Sequence, residues 1–325
     1  MDVNGEMVVV QFLHPGREHV PSAGVSTMDW NQGKHRRKFL RVAGRCLDRQ
    51  DALRSGTVSV WAEWEAQSRV LERHAGPAGK LPRFVHEPIL ARPTRREVRQ
   101  NTDPYVFGEA FLYSNCRQFS GRGRPTRLQH LAAESLILFG AHLAGRFVLD
   151  TVLVVASRTP YTFGDVRRLR CPVSPAFRVA TLEPLADLPD GHAWSAQLYR
   201  GVMYQDSQRG RMFSFAPARL DGARFSRPAL RRSRFVNPDM TQGFKITTAS
   251  TTTVQAVWEE VVCQVRDHDL DLAIHLTEPE LLTSARADRP RRATHPAAGC
   301  TGTAPIPDTC TPIPQARTAR RPRPC

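Results

Sequence analysis

The sequence predicts an α+β fold: a mixed or antiparallel, partly barrel-like sheet, few helices and a disordered C-terminal tail. Three observations carry this expectation. Strand-patterned runs outnumber the one convincing helix. Those runs do not alternate regularly with helices, which argues against a doubly wound parallel sheet. After Ala285 the chain turns to Pro, Ala, Thr and Arg with no apolar period. Residues 1–285 are therefore read as one globular body, with a subdomain junction near 158–176, and residues 286–325 as the tail.

Taken in order, Met7–Leu13 (MVVVQFL) is a buried strand that runs into a turn forced by Pro15 and Gly16. His14 and His19 flank the turn, where side chains leaving a strand end are well placed for chemistry. The turn breaks any helix that could hold the two as a metal pair, so no metal site is predicted. In HRRKFLR, His35, Arg36, Arg37 and Lys38 are grouped before Phe39 and Leu40. They read either as a phosphate-contacting cluster or as a solvated face.

Thr57–Glu65 (TVSVWAEWE) alternates with period two. Val58, Val60, Ala62 and Trp64 share one face; Ser59, Trp61, Glu63 and Glu65 share the other. Two carboxylates at i and i+2 lie about 6.5–7 Å apart at Cα on a strand. Such a pair suits acid–base work, one pKa being raised by its neighbour. It also suits base recognition beside an indole, for which Trp61 and Trp64 are the candidates. The bland alternative is an outward face bridged to arginines.

Pro82–Arg92 reads as an edge strand broken by Pro88. Asn101–Pro104 forms an Asx-type turn containing Asp103. Phe111–Cys116 alternates, with Phe111, Tyr113 and Asn115 on one face. Arg127–Ala133 makes a short helix. Ser135–Phe139, a link with Gly145, and Phe147–Val155 make a hairpin. Asp150 interrupts its second strand, sharing a face with Val148, Val152 and Val154. An unpaired carboxylate there costs several kcal/mol to bury, so it is ion-paired or lies in a cleft. Leu198–Tyr204 and Arg211–Phe215 look like a second strand pair. Thr251–Asp267 is the clearest helix, its Val254, Val257, Trp258, Val261, Val262 and Val265 forming one core stripe. Leu270–Leu276 is a final strand.

Of the net charge of +15, the tail from Arg286 carries eight arginines against Asp288 and Asp308, leaving +9 for the body. A basic body favours polyanions. Only four lysines occur, Lys34, Lys38, Lys80 and Lys245, so an arginine-for-lysine bias of a GC-rich genome explains the charge equally well. Seven scattered cysteines with no C-x-x-C pair indicate reduced thiols and a cytoplasmic setting. No signal peptide or membrane span is expected. P-loop, dinucleotide-binding, G-x-S-x-G and H-E-x-x-H motifs are all absent; the sequence leaves cofactor and metal dependence open.

The layout of short helix, ESLILFG, small link and FVLDTVLVV over residues 100–160 resembles the strand pair of PUA-like barrels, the group of ASCH, EVE and YTH domains. Here Glu134-Ser135 stands where those domains usually carry Gly-Asp. More loosely, the chain resembles bacterial nucleotide-modification-associated domain proteins. Either resemblance implies recognition or processing of nucleic acid or modified nucleotides. Three readings follow. The first is a nucleic-acid or nucleotide binder using His35, Arg36, Arg37, Lys38, Trp61, Trp64, Tyr113 and Asn115. The second is a hydrolase or transferase acting through His14, His19, Glu63, Glu65, Asp103 and Asp150. The third is a structural or partner-binding protein. An enzyme requires its acid and base to converge within about 3 Å of a ligand atom.

Overall fold

The computed structural model describes residues 5–21, 27–28, 35–76, 81–92, 101–169, 171–186, 194–207 and 211–282. Short apolar runs separated by turn residues make strands. In chain order they are β1 (Val8–Leu13), β2 (Thr27–Met28), β3 (Arg37–Leu47), β4 (Leu53–Glu63), β5 (Ser68–Arg73), β6 (Phe84–Pro88), β7 (Leu90–Ala91) and β8 (Leu112–Tyr113). They continue with β9 (Leu136–Leu143), β10 (Arg146–Thr162), β11 (Ser195–Gly201), β12 (Ala216–Arg219), β13 (Phe244–Thr248), β14 (Asp271–Leu276) and β15 (Leu281–Leu282).

Two sheets hold most of them. One has the order β13-β1-β9-β10-β11-β8, with β1 and β9 parallel and the other neighbours antiparallel. The second has the order β14-β12-β4-β3-β6-β5-β2, and β14 also pairs with β3. The ring β3-β4-β12-β14 therefore closes on itself, which removes its edges. The fold is α+β and partly barrel-like. The predicted tail lies outside the described residues. Among those residues no helix is long and apolar enough to cross a membrane, and Cys46, Cys116, Cys171 and Cys263 are free thiols.

Alternation on β4 sorts its side chains between two cores. Val58, Val60, Ala62 and Trp64 enter one, and Trp61 enters the other beside Phe39. The Ser59/Trp61/Glu63 face is thus covered and is not an outward face. The helix Thr251–Asp267 is capped by the Ser250 hydroxyl, which accepts from Thr253 N. All six predicted stripe residues are buried, and they roof the second core.

Several local expectations are corrected. β6 is interior, between β3 and β5, and tolerates Pro88 because that residue ends the strand. The run 111–116 yields only the two-residue β8, and the predicted helix at 127–133 is a 3-10 turn at Arg127–His130. β10 runs through Arg158 to Thr162 as a regular partner of β11. Of the expected strand pair 198–204 and 211–215, the first run lies partly in β11, while 211–214 forms no strand and Phe215 bridges Val152 of β10, so the two runs are not a strand pair.

The hairpin β9–β10 turns through Ala144 and Gly145, both at positive φ (48° and 75°), the backbone a two-residue hairpin loop needs. Its ladder slips at Asp150: Leu149 faces Gly140, and Thr151 faces the next residue, Phe139. Asp150 is the extra residue of a β-bulge. It therefore does not share the valine face: Leu149, Val152 and Val154 stay in one core while Asp150 turns aside.

Candidate functional site

Three strand ends meet at one place. His14 follows β1, and its backbone N–H donates to Gly140 O at 2.8 Å. His35 precedes β3. Glu63 ends β4, directly opposite Arg37 in the β3–β4 register, and Glu65 follows two residues on. The bulge on β10 aims Asp150 at the same spot.

These groups form a buried charged network. Arg37 Nη1 donates to Glu63 Oε2 at 2.5 Å and its Nε to Asp150 Oδ2 at 2.9 Å. Arg227 Nη1 donates to Asp150 Oδ1 at 3.3 Å, its guanidinium lies 4.6 Å from the Trp61 ring centroid, and its Nη2 donates to Gly16 O. Gly16 itself is required for the close packing of this turn on β9, since a Cβ there would sit 2.3 Å from Ala141 Cβ. Asp150 is thus the ion-paired residue that its apolar neighbours demand.

His14 Nδ1 lies 2.8 Å from Glu63 Oε2. His35 Nδ1 lies 2.6 Å from Glu65 Oε1 and 3.4 Å from Glu63 Oε1. Glu65 Oε2 accepts from Asn101 N at 2.5 Å. Burial raises both carboxylates, and their different partners separate their affinities for a proton. For Glu63, the charge of Arg37 and the contact with His14 outweigh desolvation and hold the carboxyl well below its usual range. For Glu65, burial dominates and raises it. Burial lowers His14 below the ordinary histidine value, so it is neutral near pH 7. The contacts of His35 with Glu63 and then Glu65 push its pKa up to about 10.

Outside this floor a cleft of about 620 Å³ opens, lined in part by His14, Arg17, His35, Arg36, Arg117 and His142. Among the described residues no carboxylate lines it, whereas two other clefts mix acids and bases. Among the same residues no acidic partner holds Arg17, Arg36 or Arg117. The sequence does not single out Arg17, Arg117 or His142. The HPGRE run is a local signal for Arg17; nothing local marks the other two.

The sequence-predicted residues divide. His14, His35, Glu63 and Glu65 converge, and Arg36 lines the cleft. The HRRK cluster splits because adjacent strand residues point to opposite faces and both faces of β3 are covered. Arg37 belongs to the ion-pair network. Lys38 is fully buried, donates to Ala66 O at 2.7 Å and has its pKa pushed down by burial to about 7. Neither can contact a phosphate in the cleft. Trp61 donates its indole N–H to Phe225 O and Trp64 to Gln67 O. Both rings are core, not stacking platforms. Tyr113 stacks on Tyr199 at 5.6 Å in the core and donates to Cys116 O. Asn115 and Asn101 pair through their side-chain amides.

Asp103 also lies apart from the cleft lining. Its Oδ1 accepts from Ser114 N (2.8 Å) and Oγ, and its Oδ2 from Asn115 N (2.9 Å) and Cys116 N (2.7 Å). Burial raises its pKa to about 7 against those N–H bonds. It is an anchor for the 114–116 loop, with its acceptor sites occupied. His19 packs against His86, ring centroids 6.2 Å apart, rather than beside His14.

A neutral imidazole 2.8 Å from an ionised carboxylate can carry its proton on Nδ1 and keep Nε2 as an acceptor, as a general base does, although both ring nitrogens are buried and neither is in a well-formed hydrogen bond here. The floor can move a proton, and the rim can hold an anion. No protein-family model, curated protein or solved structure matches this chain.

Proposed function

We propose that this protein is a cytoplasmic binder of nucleic acid or nucleotides, and that the His14/His35/Arg36/Arg117 cleft takes the phosphate groups. The observation that carries the reading is a cleft rim of arginines and histidines with no carboxylate among its described residues. Phosphate oxygens supply the missing acceptors, and Arg meets them with a planar fork of donors. The resemblance to PUA-like and nucleotide-modification-associated proteins points to the same ligand class.

The test is titration of a fluorescein-labelled single-stranded oligonucleotide at several salt concentrations. Arg36→Ala combined with Arg117→Ala is expected to weaken binding at low salt. It should also reduce the slope of log K against log salt by about 0.7 for each phosphate the variant no longer neutralises. Unchanged affinity and slope would exclude the cleft.

A second reading, a phosphoester hydrolase or transferase, is favoured specifically by the His14–Glu63 pair. His14→Gln keeps a polar side chain but removes the base. It is expected to lower turnover of a nucleotide substrate by about 10²–10⁴-fold while oligonucleotide affinity changes little. Wild-type turnover in that variant would leave binding as the whole function.

A further inference from the structure

We propose that His35 Nδ1, Glu63 Oε1 and Glu65 Oε1 form a site for one divalent transition cation, Mn²⁺ being the best chemical match. One donor atom from each residue lies within 4.8 Å of the other two. Metal–ligand bonds of about 2.0–2.2 Å place neighbouring donors near 3 Å apart, and His35 Nδ1 stands 2.6 and 3.4 Å from the two carboxylate oxygens. Two hard oxygens and one imidazole suit Mn²⁺ and, next, Zn²⁺.

Three features point to a cation rather than to a mere ion pair. Glu63 Oε1 and Glu65 Oε1 are both buried and lack a well-formed hydrogen bond. A single Nδ1–H cannot serve both. The far oxygen of each carboxylate is held from behind: Glu63 Oε2 by Arg37 at 2.5 Å, Glu65 Oε2 by Asn101 N at 2.5 Å. That is how outer groups orient metal ligands. His14 adds a buried ring, its side chain 4% exposed, with Nδ1 2.8 Å from Glu63 Oε2 and neither ring nitrogen in a well-formed hydrogen bond. With His35 protonated the linked network is balanced, Glu63, Glu65 and Asp150 facing Arg37, Arg227 and His35, so a metal ion binds there in exchange for the His35 proton.

Three protein ligands leave coordination positions free on the side of the basic cleft, where His35 is half exposed. A water or an anionic oxygen can complete the shell there. The inference does not rest on the nucleotide reading, because metal uptake is measured without any anion.

The experiment strips the full chain with a chelator and titrates it with Mn²⁺, reading the free ion by electron paramagnetic resonance. One equivalent is expected to bind. His35→Ala and Glu65→Gln are each expected to weaken binding by at least about tenfold. His74→Ala, which removes a histidine paired with Glu72 elsewhere, should bind as wild type. Far-UV circular dichroism checks that the variants fold. If either does not, the Co²⁺ absorption spectrum of the wild-type protein decides. A spectrum differing from the aqueous ion in the manner of nitrogen and oxygen ligation supports the site. Absence of saturable Mn²⁺ and Zn²⁺ binding, wild-type affinity in both folded variants, or an unshifted Co²⁺ spectrum overturns it.

Discussion

Asp150 shows what a single residue does here. A carboxylate within FVLDTVLVV is legible as an anomaly, and its need for a partner follows from desolvation alone. Its direction is not legible. Period-two counting puts it with Val148 and Val152, but the bulge takes it out of the ladder. Nothing in local composition announces a bulge, because the extra residue is defined by the partner strand. Asp150→Asn removes the counter-charge of Arg37 and Arg227, both nearly inaccessible. Stability is expected to fall by about 1–5 kcal/mol in denaturant unfolding. An unchanged midpoint would mean that the two arginines do not depend on that carboxylate.

Elements are legible in proportion to their periodicity. The helix Thr251–Asp267 is readable from its cap to its stripe, since six apolar positions at helical spacing admit one packing. The β4 alternation is equally plain. Its consequence is not, because covering the second face requires Phe39, Phe225 and Arg227 from distant segments. β6 carries a further consequence at this scale. His86 is fully buried beside Ser68 Oγ (3.1 Å), and burial, then the charges of Lys38, His19 and Arg73, lowers its pKa to about 3. Its folded pKa lies below the unfolded value of about 6.5. The stability it contributes is therefore present above pH 6.5 and is lost as pH falls from there towards 3. The loss approaches about 1.4 kcal/mol per pH unit in that window. Asp103 acts oppositely: its raised pKa makes stability decline as pH climbs from about 4 to 7. Comparing wild type with His86→Gln isolates the histidine. The variant's denaturation midpoint should fall less steeply between pH 6.5 and 4.5, and parallel curves would refute this assignment.

For the whole molecule, a basic composition fits a polyanion partner and an arginine bias equally well and places no site. His14, His35, Glu63 and Glu65 each stand out in the sequence, yet their convergence depends on two sheets meeting at the ends of β1, β3 and β4. That is a tertiary fact no local pattern contains. The same distance hides Arg117 and His142, which look like ordinary loop and strand residues until the cleft brings them beside His14. Charge in the sequence is shared between body and tail, so the central claim turns on which of them binds. The most direct measurement is the salt dependence of oligonucleotide affinity for three proteins: the full chain, the chain without residues 286–325, and the full chain carrying Arg36→Glu with Arg117→Glu. A phosphate-binding cleft predicts that the truncated chain retains most of the affinity and slope while the charge-reversed chain loses both. Loss on truncation, with the charge-reversed chain binding as wild type, would contradict it.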